Sequence, residues 1–546
     1  MELNQFVSYN EVFKPEADFA KPLDYLLGID KDILIKLSVV ILYSKFHTEK
    51  AFETIQRFLS SNDTIVVQDV INRVIYYATI SNLDPNKLSI LYPETSLILI
   101  NTVLEIKDNN VNAEISIKES EIRLLKAYLL INQIQADTQG KISETIPSYD
   151  TLNNKMLYLL FTSAFCQSEF LNSDIVSSFC SQFYRIHLLF KMIENDDKTK
   201  GIIEKFYENW GINSWKEYVA EIFQLSAMAL KNREDGKHVK IKLEHNDRYQ
   251  FGKHFLELLK VSEENDNDSD FKMIRNAPLY KDIDDQDMYW IIYPLFLVDK
   301  IFYSVYFELK QINDSLNKNE KKIQNFRQFI TDNFSEQTVL YTALQSIINK
   351  DNKVISFNGN TIKTEFGYEA EPDYYIRKDK SIFLFESKDN LYTGEIKRSY
   401  NYTKIEEKIK GNLYSKKGIR QLLYNIKKIL NREFSFDNAY LGNDISIYPI
   451  LIYHNRQIDV PGLNNIINEW FLLEVEKLKV EGFSVDRIMP ITLINIETII
   501  YFQDQINNVT VLKSLIDKFH KKIFSTNPII ANFEAEYQKK LLNRMD

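Results

Sequence analysis

The sequence predicts a multidomain chain, a mainly α-helical N-terminal region followed by a C-terminal α/β domain with a mixed central sheet. Three observations carry this expectation. Apolar residues recur at intervals of three and four through residues 1–235, with few strand-like alternations. From residue 322 onward, helical and strand-like segments alternate, as they do where helices pack on a sheet. Finally, 546 residues exceed what one ordinary hydrophobic core accommodates. The expected division is an irregular helical domain over 1–235, a mixed connecting region over 236–321 that ends in a long helix, and the α/β domain over 322–546.

Composition limits the function classes. With 45% hydrophobic and 26% charged residues the chain is a folded protein. Its net charge of -9 gives no overall basic character, so any nucleic-acid site must be local. The N-terminus, Met1-Glu2-Leu3-Asn4-Gln5, lacks the basic and apolar regions of a signal peptide. The strongest apolar window, Tyr289 to Phe307, is interrupted by Asp299 and Lys300 and reads as a buried helix, so no membrane partner is expected. Cys166 and Cys180 read as core thiols of a cytoplasmic protein.

In the N-terminal region the helical pattern is clearest over Asp32–Phe46, Val66–Thr79, Glu121–Gln135, Leu152–Ala164, Ile175–Ile193 and Trp215–Leu230. Asp63, Ser120 and Ser214 are the expected caps. Residues 231–270 are charged and polar, and His238, His245 and His254 there lack metal-ligand spacing. Tyr289–Ile292 reads as a short strand, Pro294–Ile312 as one long helix, and 313–321 as a linker. The α/β region then runs helix Glu336–Ile348, strand Lys353–Phe357, a hairpin over Asp373–Lys388, helix Lys404–Leu430 broken at Gly411 or Gly418, strand Ile445–Tyr453, helix Leu463–Leu478, strand Arg487–Ile494 and terminal helices.

The hairpin concentrates the chemistry. Ile382 to Phe385 is an apolar run that leads straight into Glu386 and Lys388, as a buried strand does when it delivers charge to a cleft. If the chain folds about Asp379 and Lys380, Asp373 falls opposite Glu386, and Lys388 shares the face of Glu386. Two carboxylates with a lysine suit metal-assisted phosphodiester hydrolysis. Asp373 and Glu386 would hold the cation, the Ser387 carbonyl would add a ligand, and Lys388 would orient water or steady developing charge. Mg2+ is the expected cofactor, with Mn2+ able to substitute.

Pro372-Asp373, twelve intervening residues and then Glu386-Ser387-Lys388 at the end of an apolar strand resemble the PD-(D/E)XK nuclease superfamily, the restriction-endonuclease-like fold. The likeness covers about residues 333–453. It implies that Asp373 and Glu386 are metal ligands and Lys388 the catalytic lysine, with Glu336 as an additional acid on the preceding helix. Gln421 resembles the helix glutamine of RecB-type nucleases, although Tyr424 follows it by three residues where that family's tyrosine follows by four. A large helical module on such a core resembles prokaryotic antiphage defence effectors.

Local charge fits the same reading. Eleven basic residues lie between Ile396 and Arg432 against Glu406 and Glu407, and Lys404, Lys408, Lys416, Lys417, Arg420 and Lys427 are the expected backbone contacts. Tyr414, with Tyr392, Tyr400 and Tyr402, would stack on bases. No phosphate-binding loop, nucleophile elbow or zinc motif is present. The expected activity is therefore a Mg-dependent nuclease, with DNA favoured over RNA and endonucleolytic cutting favoured. The helical region would regulate, sense, self-associate or bind a partner protein. The alternatives are a catalytically silent nucleic-acid-binding or protein-interaction scaffold, and a ribonuclease.

Overall fold

The computed structural model describes residues 5–16, 19–43, 50–106, 115–147, 152–171, 174–234, 237–262, 270–317, 322–351, 353–414, 418–437, 440 and 444–524. The chain is a multidomain α/β protein that divides into two compact units, one of residues 1–141 and 207–305, the other of 142–206 and 306–546. This division differs from the boundaries expected at 235 and 321. Residues 142–206 belong with the C-terminal half because Leu157, Tyr158, Phe161 and Phe165 of the helix Leu152–Leu171 are buried in the same core as the sheet residues Tyr375, Leu384 and Leu451. Helical periodicity shows that a helix has a buried face but not which domain that face meets.

In the first unit the expected helices form, as Lys31–Leu42, Thr64–Ile80, Ile117–Gly140 and Trp215–Glu234. Ser116 rather than Ser120 caps the third, its hydroxyl accepting from the Glu119 amide at 3.2 Å. Strands β1 (Gln5–Phe6) and β2 (Leu88–Ser89) pair in parallel. β3 (Lys240–Lys242), β4 (Leu279–Lys281) and β5 (Met288–Ile291) form an antiparallel sheet in the order β3-β5-β4. The long helix expected from Pro294 is broken into Pro294–Val298 and Tyr303–Ser315. At the break the Lys300 carbonyl turns to accept the Tyr218 hydroxyl at 2.6 Å, and the Ser304 amide donates to Asp299 O at 2.9 Å.

The second unit is built on a five-stranded mixed sheet in the order β10-β9-β8-β7-β6, where β6 is Val354–Asn358, β7 Tyr374–Lys378, β8 Ser381–Lys388, β9 Ser446–Tyr453 and β10 Thr492–Asn495. β6, β7 and β8 pair antiparallel, and β8, β9 and β10 pair in parallel. β7 and β8 make the expected hairpin. Lys378 pairs with Ser381, leaving Asp379 and Lys380 as a two-residue turn, and Asp379 takes the positive φ of 50° that such turns require. Ile382 to Phe385 are fully buried on both faces, which explains their unbroken apolar run. The parallel crossovers run through the helices Tyr402–Ile409, Ile419–Leu430 and Leu463–Val480, whose Ile405, Leu422, Ile426 and Phe471 share one core. Of the two glycines expected to break the first crossover helix, Gly418 stands at the N-terminus of Ile419–Leu430. A Cβ there would lie 1.9 Å from the Leu413 carbonyl oxygen, so only glycine fits.

Asp437 fixes the outer part of this unit. Its 2% exposed carboxylate accepts from Tyr375 Oη at 2.6 Å and from Arg377 Nε and Nη2 at 2.5 and 3.0 Å. Removing one partner of a buried pair leaves the other charge uncompensated. Asp437→Ala should therefore lower unfolding free energy by about 3 kcal/mol, read as a shifted denaturant midpoint. A shift below about 0.5 kcal/mol would contradict this role.

Candidate active site

The site forms where β8 outruns β7. The ladder ends at Tyr374 opposite Phe385, so its next position sets Asp373 against Glu386, as the hairpin register predicts. Beyond that point the Ser387 amide has no β7 residue to meet, and the Asp373 carboxylate takes its place by accepting that N–H through Oδ2 at 2.6 Å. Strand alternation puts Glu386 and Lys388 on the face shared by Ile382 and Leu384. Lys388 Nζ donates to Glu386 Oε1 at 2.5 Å and to the Ser387 carbonyl at 2.9 Å. The carbonyl expected to complete a metal shell is thus engaged by the ammonium group.

Glu386 is 1% exposed, and its second oxygen, Oε2, is buried without a hydrogen-bond partner among the described residues. Glu336 reaches the cluster from a wide helical segment, Ile330–Leu340, whose i→i+5 bonding sets residues five apart side by side. Tyr341, five residues on, donates its hydroxyl to Glu336 Oε1 at 2.8 Å. Burial, then the neighbouring Asp373, push the Glu336 carboxyl up to about 8. Burial raises Asp373 against the opposing pull of Lys388 and the Ser387 amide. Glu386 is raised well above the usual carboxylate range by burial and then by Asp373. Burial works against the Lys388 charge, but Glu386 and Asp373 outweigh it and hold the lysine protonated. One ammonium group therefore faces three carboxyl groups, Glu386, Asp373 and Glu336.

Those features fit a divalent cation. Asp373 and Glu386 would hold it, with Glu386 Oε2 as the free ligand atom, and Mg2+ needs only one or two carboxylates beside its waters. Among the described residues, the three-acid group whose oxygens lie within 4.8 Å of one another is elsewhere, at Asp32, Asp282 and Asp284 in the first unit. There the Lys36 ammonium already sits at 2.6 Å from Asp32 and 2.8 Å from Asp282, doing the work of a cation.

Gln421 bonds to the backbone beside the site. Its Nε2 donates to the Glu371 carbonyl at 2.7 Å, which steadies the backbone two residues before Asp373. Gly359 was not singled out by sequence reasoning, yet it lies against the same backbone. Its amide donates to Asp373 O at 2.8 Å, and a Cβ would meet Pro372 O at 3.0 Å and Asp373 Cα at 3.2 Å. His454 was also missed; it is buried, with Nε2 2.9 Å from Ser387 Oγ, and burial lowers it to about 3.

The residues expected to meet nucleic acid differ in exposure and pairing. Lys404 and Arg420 are exposed and Lys408 is half-buried. Lys427 Nζ pairs with Glu481 at 2.5 Å, and Lys416 and Lys417 lie outside the described residues. Tyr414 is half-buried, bonded through its hydroxyl to Glu474, with the Arg420 guanidinium 5.0 Å from its ring centre. Tyr392, Tyr400 and Tyr402 are at most 5% exposed, so they fill the core and cannot stack on bases. Of the two cysteines expected in the core, Cys166 is buried and Cys180 is exposed.

The raised carboxylates predict how stability varies with pH. A carboxyl whose folded pKa is raised stabilises the fold below its unfolded value near 4.5, and that contribution is lost as pH rises through about 8. His454 and His520, lowered to about 3 and 4 by burial, act oppositely but only below 6.5. With divalent metal chelated, the melting temperature should fall between pH 6.5 and 8, and Glu336→Gln should flatten that slope. A wild-type melting temperature that rises across this interval would contradict the assignment. No family model, curated protein or solved structure matches the chain, so the reading of the site rests on its own geometry.

Proposed function

We propose that the chain is a metal-dependent nuclease whose C-terminal unit is of the restriction-endonuclease-like, PD-(D/E)XK type, and that it cuts DNA endonucleolytically. The observation that carries this reading is the buried Glu386 Oε2, unpartnered among the described residues, beside Asp373 and the Lys388 ammonium at the mouth of a buried strand. A buried carboxylate oxygen left without a partner is costly, and a proton and a bound cation are the two ways to complete it.

Asp373 and Glu386 hold the cation in this proposal. A bound Mg2+ supplies Lewis-acid polarisation of the phosphoryl oxygen and a more acidic water. Lys388, kept charged by its two carboxylate neighbours, donates to the negative charge that develops on the phosphoryl group. Glu336 retains a proton near neutral pH, and Tyr341 orients its carboxyl through Oε1, so it is the group suited to move a proton. Gln421 and Gly359 hold the backbone that aims Asp373. Lys404 and Arg420 give the phosphate backbone exposed positive charge. A role in antiphage defence remains an analogy to the architecture of a helical module joined to a nuclease core.

Plasmid DNA and an RNA of similar length, each incubated with Mg2+, test the proposal. DNA should be cut faster than RNA, and Asp373→Ala or Lys388→Ala should each slow cleavage by about 10²–10³-fold while DNA binding persists. If cleavage ignores both substitutions, this site is not the catalytic one. Binding without any cleavage would favour the scaffold reading instead, and preferential RNA cleavage would make the enzyme a ribonuclease.

A further inference from the structure

We propose that Asp389 is a positioning residue, which rivets the end of β8 to the helical segment carrying Glu336 and thereby sets Glu336 against Lys388 and Asp373. The proposal rests on the nuclease reading above for its consequence, but not for its geometry. Asp389 follows Lys388 directly in the chain, and Ser335 directly precedes Glu336. Ser335 Oγ donates to Asp389 Oδ2 at 2.6 Å, so a single hydrogen bond joins the immediate neighbours of two site residues. The other carboxylate oxygen, Oδ1, accepts from Arg327 Nη2 at 2.7 Å, and the same nitrogen donates to the Asp389 carbonyl.

Arg327 and Ser335 lie on either side of the point where the helix Phe326–Phe329 passes into the wide turns of Ile330–Leu340. Asp389 therefore grips this element at two places eight residues apart. Ser335 is 1% exposed, and the Asp389 side chain is 10% exposed. Arg327 outweighs the cost of burial and holds the Asp389 carboxyl down to about 2, so the clamp is charged at neutral pH. Wide i→i+5 turns are rare and recur at functional sites, and a site side chain keeps its geometry when neighbouring groups hold the backbone beneath it. Tyr341 steadies the Glu336 carboxylate itself, while Asp389 fixes the backbone beneath it.

The test uses the full chain with Ser335→Ala, Ser335→Thr and Asp389→Asn. In metal-chelated protein, hydrogen exchange over residues 330–340 should speed up about tenfold in Ser335→Ala and Asp389→Asn, and stay near wild type in Ser335→Thr, which keeps the hydroxyl. With Mg2+, Ser335→Ala should lower kcat for DNA cleavage about tenfold at unchanged KM. The same substitution should cost nothing further in a Glu336→Gln background, because the clamp acts through Glu336. Unchanged exchange in Ser335→Ala, or kinetic losses that multiply with Glu336→Gln, would overturn the proposal. If the wild type does not cut at all, the nuclease reading fails, and the exchange measurement still decides whether the clamp exists. If Asp389→Asn does not fold, the Ser335 pair carries the test alone.

Discussion

The constraint on which the second unit depends is a carboxylate placed where water cannot reach it. β8 is apolar on both faces up to Phe385 and then continues into Glu386, whose side chain stays as buried as the residues before it. Burying an ion without full compensation is expensive, and such groups respond by holding a proton, pairing, or binding a cation. Lys388 supplies half of the compensation by pairing with Oε1. Oε2 remains available, and the upward shifts of Glu386, Asp373 and Glu336 are the same imbalance expressed as proton affinity.

The surrounding framework is best understood as the means of holding these groups against their mutual repulsion. The two-residue turn at Asp379-Lys380 fixes the hairpin register, and a slip of one residue would turn Glu386 and Lys388 to the opposite face. Gly359 presses on the Asp373 backbone from one side, and Gln421 ties the preceding segment from another. The parallel pairing of Glu386 to Leu451 and Lys388 to Tyr453 anchors the strand end on β9. Each contact is modest, but together they leave the acids little freedom to separate, which is the condition under which a cation is bound tightly.

The sequence made some of this legible and concealed the rest for physical reasons. The apolar run into Glu386, the turn at Asp379 and the alternation of helices and strands are local patterns, and the mixed sheet and the Asp373–Glu386 register follow from them. Burial depends on tertiary partners, which a local pattern does not contain. Tyr392, Tyr400 and Tyr402 stand among lysines in the sequence, yet they point into a core to which Tyr158, Phe161 and Phe165 contribute. Asp389 resembles any polar residue after a strand, because its partners lie 54 and 62 residues away. The wide turns carrying Glu336 leave no signature in a pattern read at 3.6 residues per turn.

The first unit shows the same electrostatics resolved internally. Asp32 and Asp282 close around Lys36, and the Tyr280 hydroxyl and Trp290 indole satisfy their remaining oxygens, so that cluster needs no outside cation. The contrast makes metal location the most direct test of the central claim. Anomalous diffraction from a crystal soaked in Mn2+ should give a peak coordinated by Asp373 and Glu386 Oε2, and Asp373→Ala should abolish it. A Mn2+ peak confined to Asp32, Asp282 and Asp284, with none at Glu386, would contradict the claim.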